Sequence, residues 1–412
     1  MTGGNNNEPP DSATDEHVDK SVPNDGSTSG PGSRPGDEST SEPESTPDDG
    51  STSDTTTEDG PRGETPSEAE RSGHSRRGVA ALAGNTVVLG VGAWIVRPAP
   101  VEDAPGWRQV GNLPVARGEM KAAAADRRLY VPGGLRGVTG GSTDRLDVYD
   151  VAADGWTTAA PMPTGLNHHG TVALDGHIYV IGGNERFDDP PGTFAFEYDP
   201  AADGWEEVSP LPDGRWGHEC LAYDGRLYVL GGITDADDEI DTLVYDPGSD
   251  NWERRSPIPT RREHVAAAVV DGELVVVSGR WEGENTDAVE AYDPVDDEWR
   301  SLEPVPTARS GFGIAVLDGR LHAVGGEDPS TIGGWTTATH EVYDPESDAW
   351  ESRPDAPLAL HGNAVVEADG LLYVLGGAWR QGLWSVTAWS DRAFVYDPRE
   401  RIPYTVSDRD LP

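Results

Sequence analysis

The sequence predicts an all-β protein: six repeated units of four short strands, arranged in a closed ring behind a polar tail and one apolar stretch. Three observations carry this. A glycine pair recurs six times, at Gly133-Gly134, Gly182-Gly183, Gly231-Gly232, Ser278-Gly279, Gly325-Gly326 and Gly376-Gly377, with spacings of 49, 49, 47, 47 and 51 residues. A tyrosine follows each pair, and a tryptophan stands seven residues after each of the first five tyrosines. Finally, 51 Gly and 34 Pro in 412 residues favour many turns over long helices.

Residues 1–74 form the first element. They are Gly, Asn, Pro, Ser, Thr, Asp and Glu with almost nothing apolar, and such a segment buries too little surface to offset its ordering entropy, so it reads as a disordered acidic tail. Residues 75–97 come next. Gly78 to Val96 is a run of 19 residues without charge, bracketed by Arg76-Arg77 and Arg97. A helix of that length rises about 28 Å, close to the hydrocarbon thickness of a bilayer. Ser75-Arg76-Arg77-Gly78 resembles a twin-arginine export signal. No small-x-small cleavage site follows, so we read residues 78–96 as a retained single-span anchor, with a cleaved signal as the alternative. Arg71, Arg76 and Arg77 precede the span, and the positive-inside rule places the tail in the cytoplasm and residues 98–412 outside. The expected location is the cell membrane, with the ring on the extracellular side, or secreted if the signal is cleaved. Residues 98–106 read as a linker and 404–412 as a tail.

The repeats fill 107–403. In each unit an apolar run meets a turn, such as Asp175-Gly176, then a strand ending in the glycine pair, a variable loop, a strand ending in Tyr-Asp-Pro, and a strand bearing the tryptophan. From the proline ahead of each first strand to the aspartate of the turn is 12 residues in all six units, Pro114–Asp126 through Pro357–Asp369. The tyrosines are Tyr149, Tyr198, Tyr245, Tyr292, Tyr343 and Tyr396; the tryptophans are Trp156, Trp205, Trp252, Trp299 and Trp350. Tyr396 lacks one, because position 403 is Pro403. The missing tryptophan is Trp107, at the other end of the array, and the count balances only if the array is circular.

Glycine pair, Tyr-Asp-Pro, the tryptophan seven past the tyrosine, and Pro-x-x-Arg at Arg117, Arg215, Arg262 and Arg309 together resemble the kelch family over residues 107–398. The sequence departs from that pattern at Ser278, at Leu166 and Leu360 in the arginine column, and at Val275 and His322 in a tyrosine column. The resemblance implies a six-bladed kelch β-propeller, closed by an N-terminal strand through Trp107 so that no edge is left exposed. A shared core makes residues 107–403 one domain, expected to be monomeric.

Composition excludes some functions. Acidic residues number 74 against 31 basic, a formal charge of −43, and of the basic residues only Lys20 and Lys121 are lysine. Such a field repels nucleic-acid phosphates. Acid excess with almost no lysine fits a protein working in molar salt, where repulsion is screened within a few ångströms. A single cysteine, Cys220, builds no disulfide or Cys-based metal site. It also excludes the copper chemistry of galactose oxidase, which the wider resemblance brings to mind. Neither a nucleophile elbow nor a phosphate loop is present.

Candidate site residues gather on the face opposite the short Asp-Gly and Tyr-Asp-Pro turns. That face collects the lead-in loops and the variable loops, the natural place for function on a rigid ring. Arg117, Arg215, Arg262 and Arg309 are expected to ring the channel mouth, where converging guanidiniums attract carboxylate or phosphate; arginine there also belongs to the family pattern and pairs with neighbours. Trp216, Trp281 and Trp379 suit a sugar or a partner side chain, as do Trp335, Trp384 and Trp389, unless they pack the loops together. His168 and His264 stand where other blades have Gly217, Gly311 and Gly362, as pocket-facing polar groups; His169 and His218 read as packing residues. A metal held by His168 and His264 requires two non-adjacent blades to converge, so no metal and no cofactor is expected. The favoured function is a membrane-tethered module binding a protein or cell-surface glycan. The alternative, from a weaker resemblance to sialate mutarotases, is a sugar mutarotase using an arginine for the substrate carboxylate and a glutamate or histidine for proton transfer, with Arg262-Glu263-His264 or Arg215 and Glu219 as candidates.

Overall fold

The structure, a computed structural model, describes residues 104–137, 141–235, 240–328, 335–380 and 388–400. The acidic tail, the apolar span, most of the linker, Trp384 and the C-terminal residues lie outside the described residues. Among those described, no helix is long and apolar enough to cross a membrane.

Six antiparallel four-stranded sheets form the blades of a propeller. Blade 2 shows the plan: Gly170–Leu174 innermost, then His177–Ile181, Ala195–Asp199 and Gly204–Glu207. Blade 6 is assembled from both ends of the array. Ala364–Ala368, Leu371–Leu375 and Ala393–Tyr396 are completed by Trp107–Gln109, with Trp107 opposite Tyr396. The predicted closure is present.

Apolar side chains pack between blades rather than within one. Ala266, Val275 and Val289 of blade 4 meet Phe312, Ile314 and Leu321 of blade 5, and blade 6 packs in the same way on blade 1. This shared burial makes the ring one cooperative body.

Repeated polar devices stitch the blades together. Each framework indole donates to a carbonyl just beyond the preceding blade's outer strand: Trp156 to Gly111 at 2.8 Å, Trp205 to Ala160 at 2.9 Å, and Trp107 to Pro354 at 3.0 Å. The tyrosines of blades 1–5 donate to an aspartate five residues on, as Tyr245 does to Asp250 at 2.7 Å, and Asp250 also accepts the Ser209 amide of the preceding unit. The second glycine of each pair donates to the carbonyl of the arginine-column residue of the next blade, Gly183 to Arg215 at 2.7 Å and Gly377 to Arg117 at 2.9 Å. A Cβ on Gly182 would lie 2.4 Å from the Arg215 carbonyl, and its φ is +64°. That position therefore favours glycine. Ser278 takes the left-handed conformation there, and its hydroxyl engages Thr286 and Arg309 backbone.

Candidate functional site

The lead-in loops send neighbouring residues in opposite directions. Arg117, Arg215, Arg262 and Arg309 are each no more than 1% exposed. Their guanidiniums turn into their own blades: Arg117 meets Asp147 at 2.7 Å, Arg262 meets Glu290 at 2.5 Å and Arg309 meets Glu341 at 2.9 Å, with strand carbonyls taking further N–H groups. Among the described residues Arg215 pairs with no carboxylate and donates to the Asp241 carbonyl at 2.7 Å; burial pushes its pKa down to about 10. The expected ring of converging guanidiniums is not formed. The two departures from the column explain why. Blades 2 and 6 replace arginine by Leu166 and Leu360, and the acid's place two before the tyrosine by Phe196 and Phe394. Each Leu–Phe pair packs in one apolar cluster. Ion pair and apolar pair fill the same slot, so this column stabilises blades.

Two residues further along, the chain reaches the axis. Glu119, His168, Gly217, His264, Gly311 and Gly362 stand five residues after their lead-in prolines. All six have left-handed φ, between 51° and 69°. Their backbones link around the axis: Glu119 N–H to Gly362 O at 2.8 Å, His168 to Glu119 at 3.0 Å, Gly217 to His168 at 2.9 Å, Gly311 to His264 at 3.1 Å, and Gly362 to Gly311 at 2.6 Å. A side chain in this conformation costs about 1–2 kcal/mol relative to glycine. Three blades retain one nonetheless, and their side chains converge. The His168 and His264 rings lie 4.8 Å apart, and the carboxylate of Glu119 lies 3.4 Å from His168 Nε2.

Around this trio runs a closed circuit of side chains. Glu119 contacts His361 at 3.4 Å, His361 contacts Glu327 at 3.4 Å, and Glu327 meets Arg280 at 2.5 Å. Arg280 then reaches Glu263 at 2.6 Å, and Glu263 contacts His264. Burial acts to raise the pKa of Glu119, but His168, His361 and Arg280 outweigh it and hold the carboxyl at about 2. Burial acts to lower that of His361, but Glu327 and Glu119 lift it to about 9. For His168 and His264 burial prevails and pushes both imidazoles down from their ordinary range. The cluster sets three carboxyl groups against one guanidinium and one imidazolium. The cavity beneath it measures about 30 Å³, room for an ion or a water rather than a sugar. A larger axial cavity of about 340 Å³ follows, lined by all six inner strands. Lys121 meets Glu219 there at 2.7 Å, and burial raises the Glu219 carboxyl.

A sequence profile described as the "KLHDC2/KLHL20/DRC7 Kelch-repeats domain" matches residues 120–326 and 217–402. The chain belongs to the kelch-repeat family. The solved structure of YjhT superposes with a TM-score of 0.59 at 18% identity, covering 69% of this chain and 96% of that one, a likeness that bears on the fold alone. No curated protein matches the sequence.

Of the aromatic candidates among the described residues, Trp216 alone joins the axial cluster, its ring meeting His168 at 5.2 Å and His264 at 5.5 Å. Trp281 instead stacks under Arg261 and Trp379 under Arg380, at 4.2 and 4.5 Å. Trp389 packs against Gly118 and donates to the Gly137 carbonyl. Convergence of His168 and His264 from blades 2 and 4, thought demanding, is achieved because the annulus is only one residue deep per blade. Sequence reasoning missed Glu119, Arg280, Glu327, His361 and Lys121. Glu119 was recoverable by counting five from Pro114. Lys121 is one of only two lysines, which was itself a signal.

Proposed function

We propose that this kelch propeller is a binding module, held at the extracytoplasmic side of a membrane by residues 78–96, whose loop-rich face takes a protein or cell-surface glycan. The single observation that carries this is a sealed mouth beside exposed aromatics. The axial groups are buried over a cavity of about 30 Å³, while Phe187 is 64% and Trp335 48% exposed in the variable loops. Large exposed rings on a rigid ring of loops mark a contact surface. One observation favours the alternative, a sugar mutarotase: the 340 Å³ axial cavity has ligand size, with Lys121 to hold a carboxylate and Glu219 to move a proton.

The test uses the full chain in detergent and molar KCl, against a glycan array and a panel of cell-surface proteins. Binding by the wild type that falls about tenfold or more in Phe187→Ser/Trp335→Ser supports the module. Anomer exchange of an acidic sugar, seen by NMR and abolished in Glu219→Gln, would overturn it in favour of the enzyme.

A further inference from the structure

We infer that Glu119, His168 and His264 form a divalent-metal site at the propeller axis, with zinc the ion whose chemistry fits best. This goes beyond the binding role and does not depend on it. The ligand atoms of these three residues all lie within 4.8 Å of one another. Zinc at 2.0–2.2 Å from nitrogen and oxygen ligands places donors about 3.3 Å apart, and the Glu119–His168 pair already stands at 3.4 Å. Two imidazoles and a carboxylate are a donor set for zinc, and three protein ligands leave a fourth position for water.

Independent features point the same way. First, each histidine has its other nitrogen engaged by an oxygen: His168 Nδ1 contacts Asn167 Oδ1, and His264 Nδ1 contacts the Glu263 carboxylate. Metal-ligating histidines have such partners, which fix the tautomer and aim the bare Nε2 at the ion. Second, the three ligands occupy left-handed positions that the other three blades fill with glycine, so the chain sustains strain to place these side chains on the axis. Arg280 Nη2 lies 3.1 Å from His264 Nε2, so an ion displaces that contact, leaving Arg280 its bonds to Glu263 and Glu327. The carboxyl groups around the site outnumber the cations, which favours a positive guest. The way in is the axial channel, which shares Lys121 with the small cavity.

Untagged full-length protein, stripped with chelator, is dialysed against zinc and assayed for bound metal and for its thermal midpoint. One zinc per chain and a raised midpoint are expected. His168→Gly and His264→Gly retain the fold, because glycine is what blades 3, 5 and 6 carry there, and each loses the bound metal. Asn167→Ala and Glu263→Gln weaken binding by roughly 10–100-fold. Zinc uptake that is substoichiometric in the wild type, or unchanged in the His168→Gly/His264→Gly double variant, overturns the site.

Discussion

Arg262 and His264 are two residues apart in one lead-in loop, and they serve opposite ends. Arg262 turns outward into blade 4, closes on Glu290 and disappears from solvent; His264 turns inward with φ at 51° and joins side chains from other blades. The same contrast holds for Arg117 and Glu119. Residue type alone assigned the arginines to the ligand on the same footing as the glycine-column histidines. Backbone conformation decides instead. The blade column holds polar groups whose partners lie in their own blade, whereas the axial column holds polar groups that cost backbone strain and meet across the ring.

The contrast can be broken most strongly at Arg262. Replacing it by alanine leaves Glu290 buried without its guanidinium, and chemical denaturation should show a loss of about 3–5 kcal/mol. The double change Arg262→Leu/Glu290→Phe rebuilds the pair found in blades 2 and 6 and should return stability to within about 1 kcal/mol of wild type. A double variant as unstable as the single one would mean that the arginine column does more than fill its slot.

A pH-dependent effect sits in the blade bodies. His322 and His340 lie 2.9 Å apart at the seam of blades 5 and 6, and burial pushes them down to about 4 and about 3. Their folded values lie below the unfolded value near 6.5, so their contribution is complete above pH 6.5 and is lost as pH falls toward 4. Each costs up to about 1.4 kcal/mol per pH unit in that window. His322→Gln/His340→Gln should flatten the fall of the thermal midpoint between pH 6.5 and 4; an unchanged slope would locate the acid sensitivity elsewhere.

The smallest effect has the opposite sign. In chelated protein, His264→Gly removes left-handed strain and should be neutral or stabilising by about 1 kcal/mol in denaturant melts. A loss comparable with that of Arg262→Ala would erase the distinction between the two columns.

Much of the ring was legible beforehand. The gapless interval from proline to turn aspartate located every inner strand, and the displaced Trp107 announced the closure. The direction of the arginines was not, because it depends on which way a buried side chain turns. Even so, Asp147, Glu290 and Glu341 opposite Arg, with Phe196 and Phe394 opposite Leu, were a pairing written in the sequence. Arg280 and Glu327 follow their glycine pairs at positions where each blade carries a different residue, so no periodicity marks them. They become neighbours of His264 and His361 only once the ring is drawn shut.

The three-residue strand that completes blade 6 also sets a timetable. Trp107 leaves the ribosome long before Tyr396, its partner in the sheet. At synthesis rates of 5–20 residues per second, the wait is roughly 15–60 s. Throughout it the first strand has nothing to pair with, and each growing arc leaves uncovered the apolar flank of its last blade, surface of the kind that recruits other chains. Newly made copies are therefore most vulnerable to mispairing just before the last blade is finished, and a delay in translating residues 364–396 would lengthen that exposure.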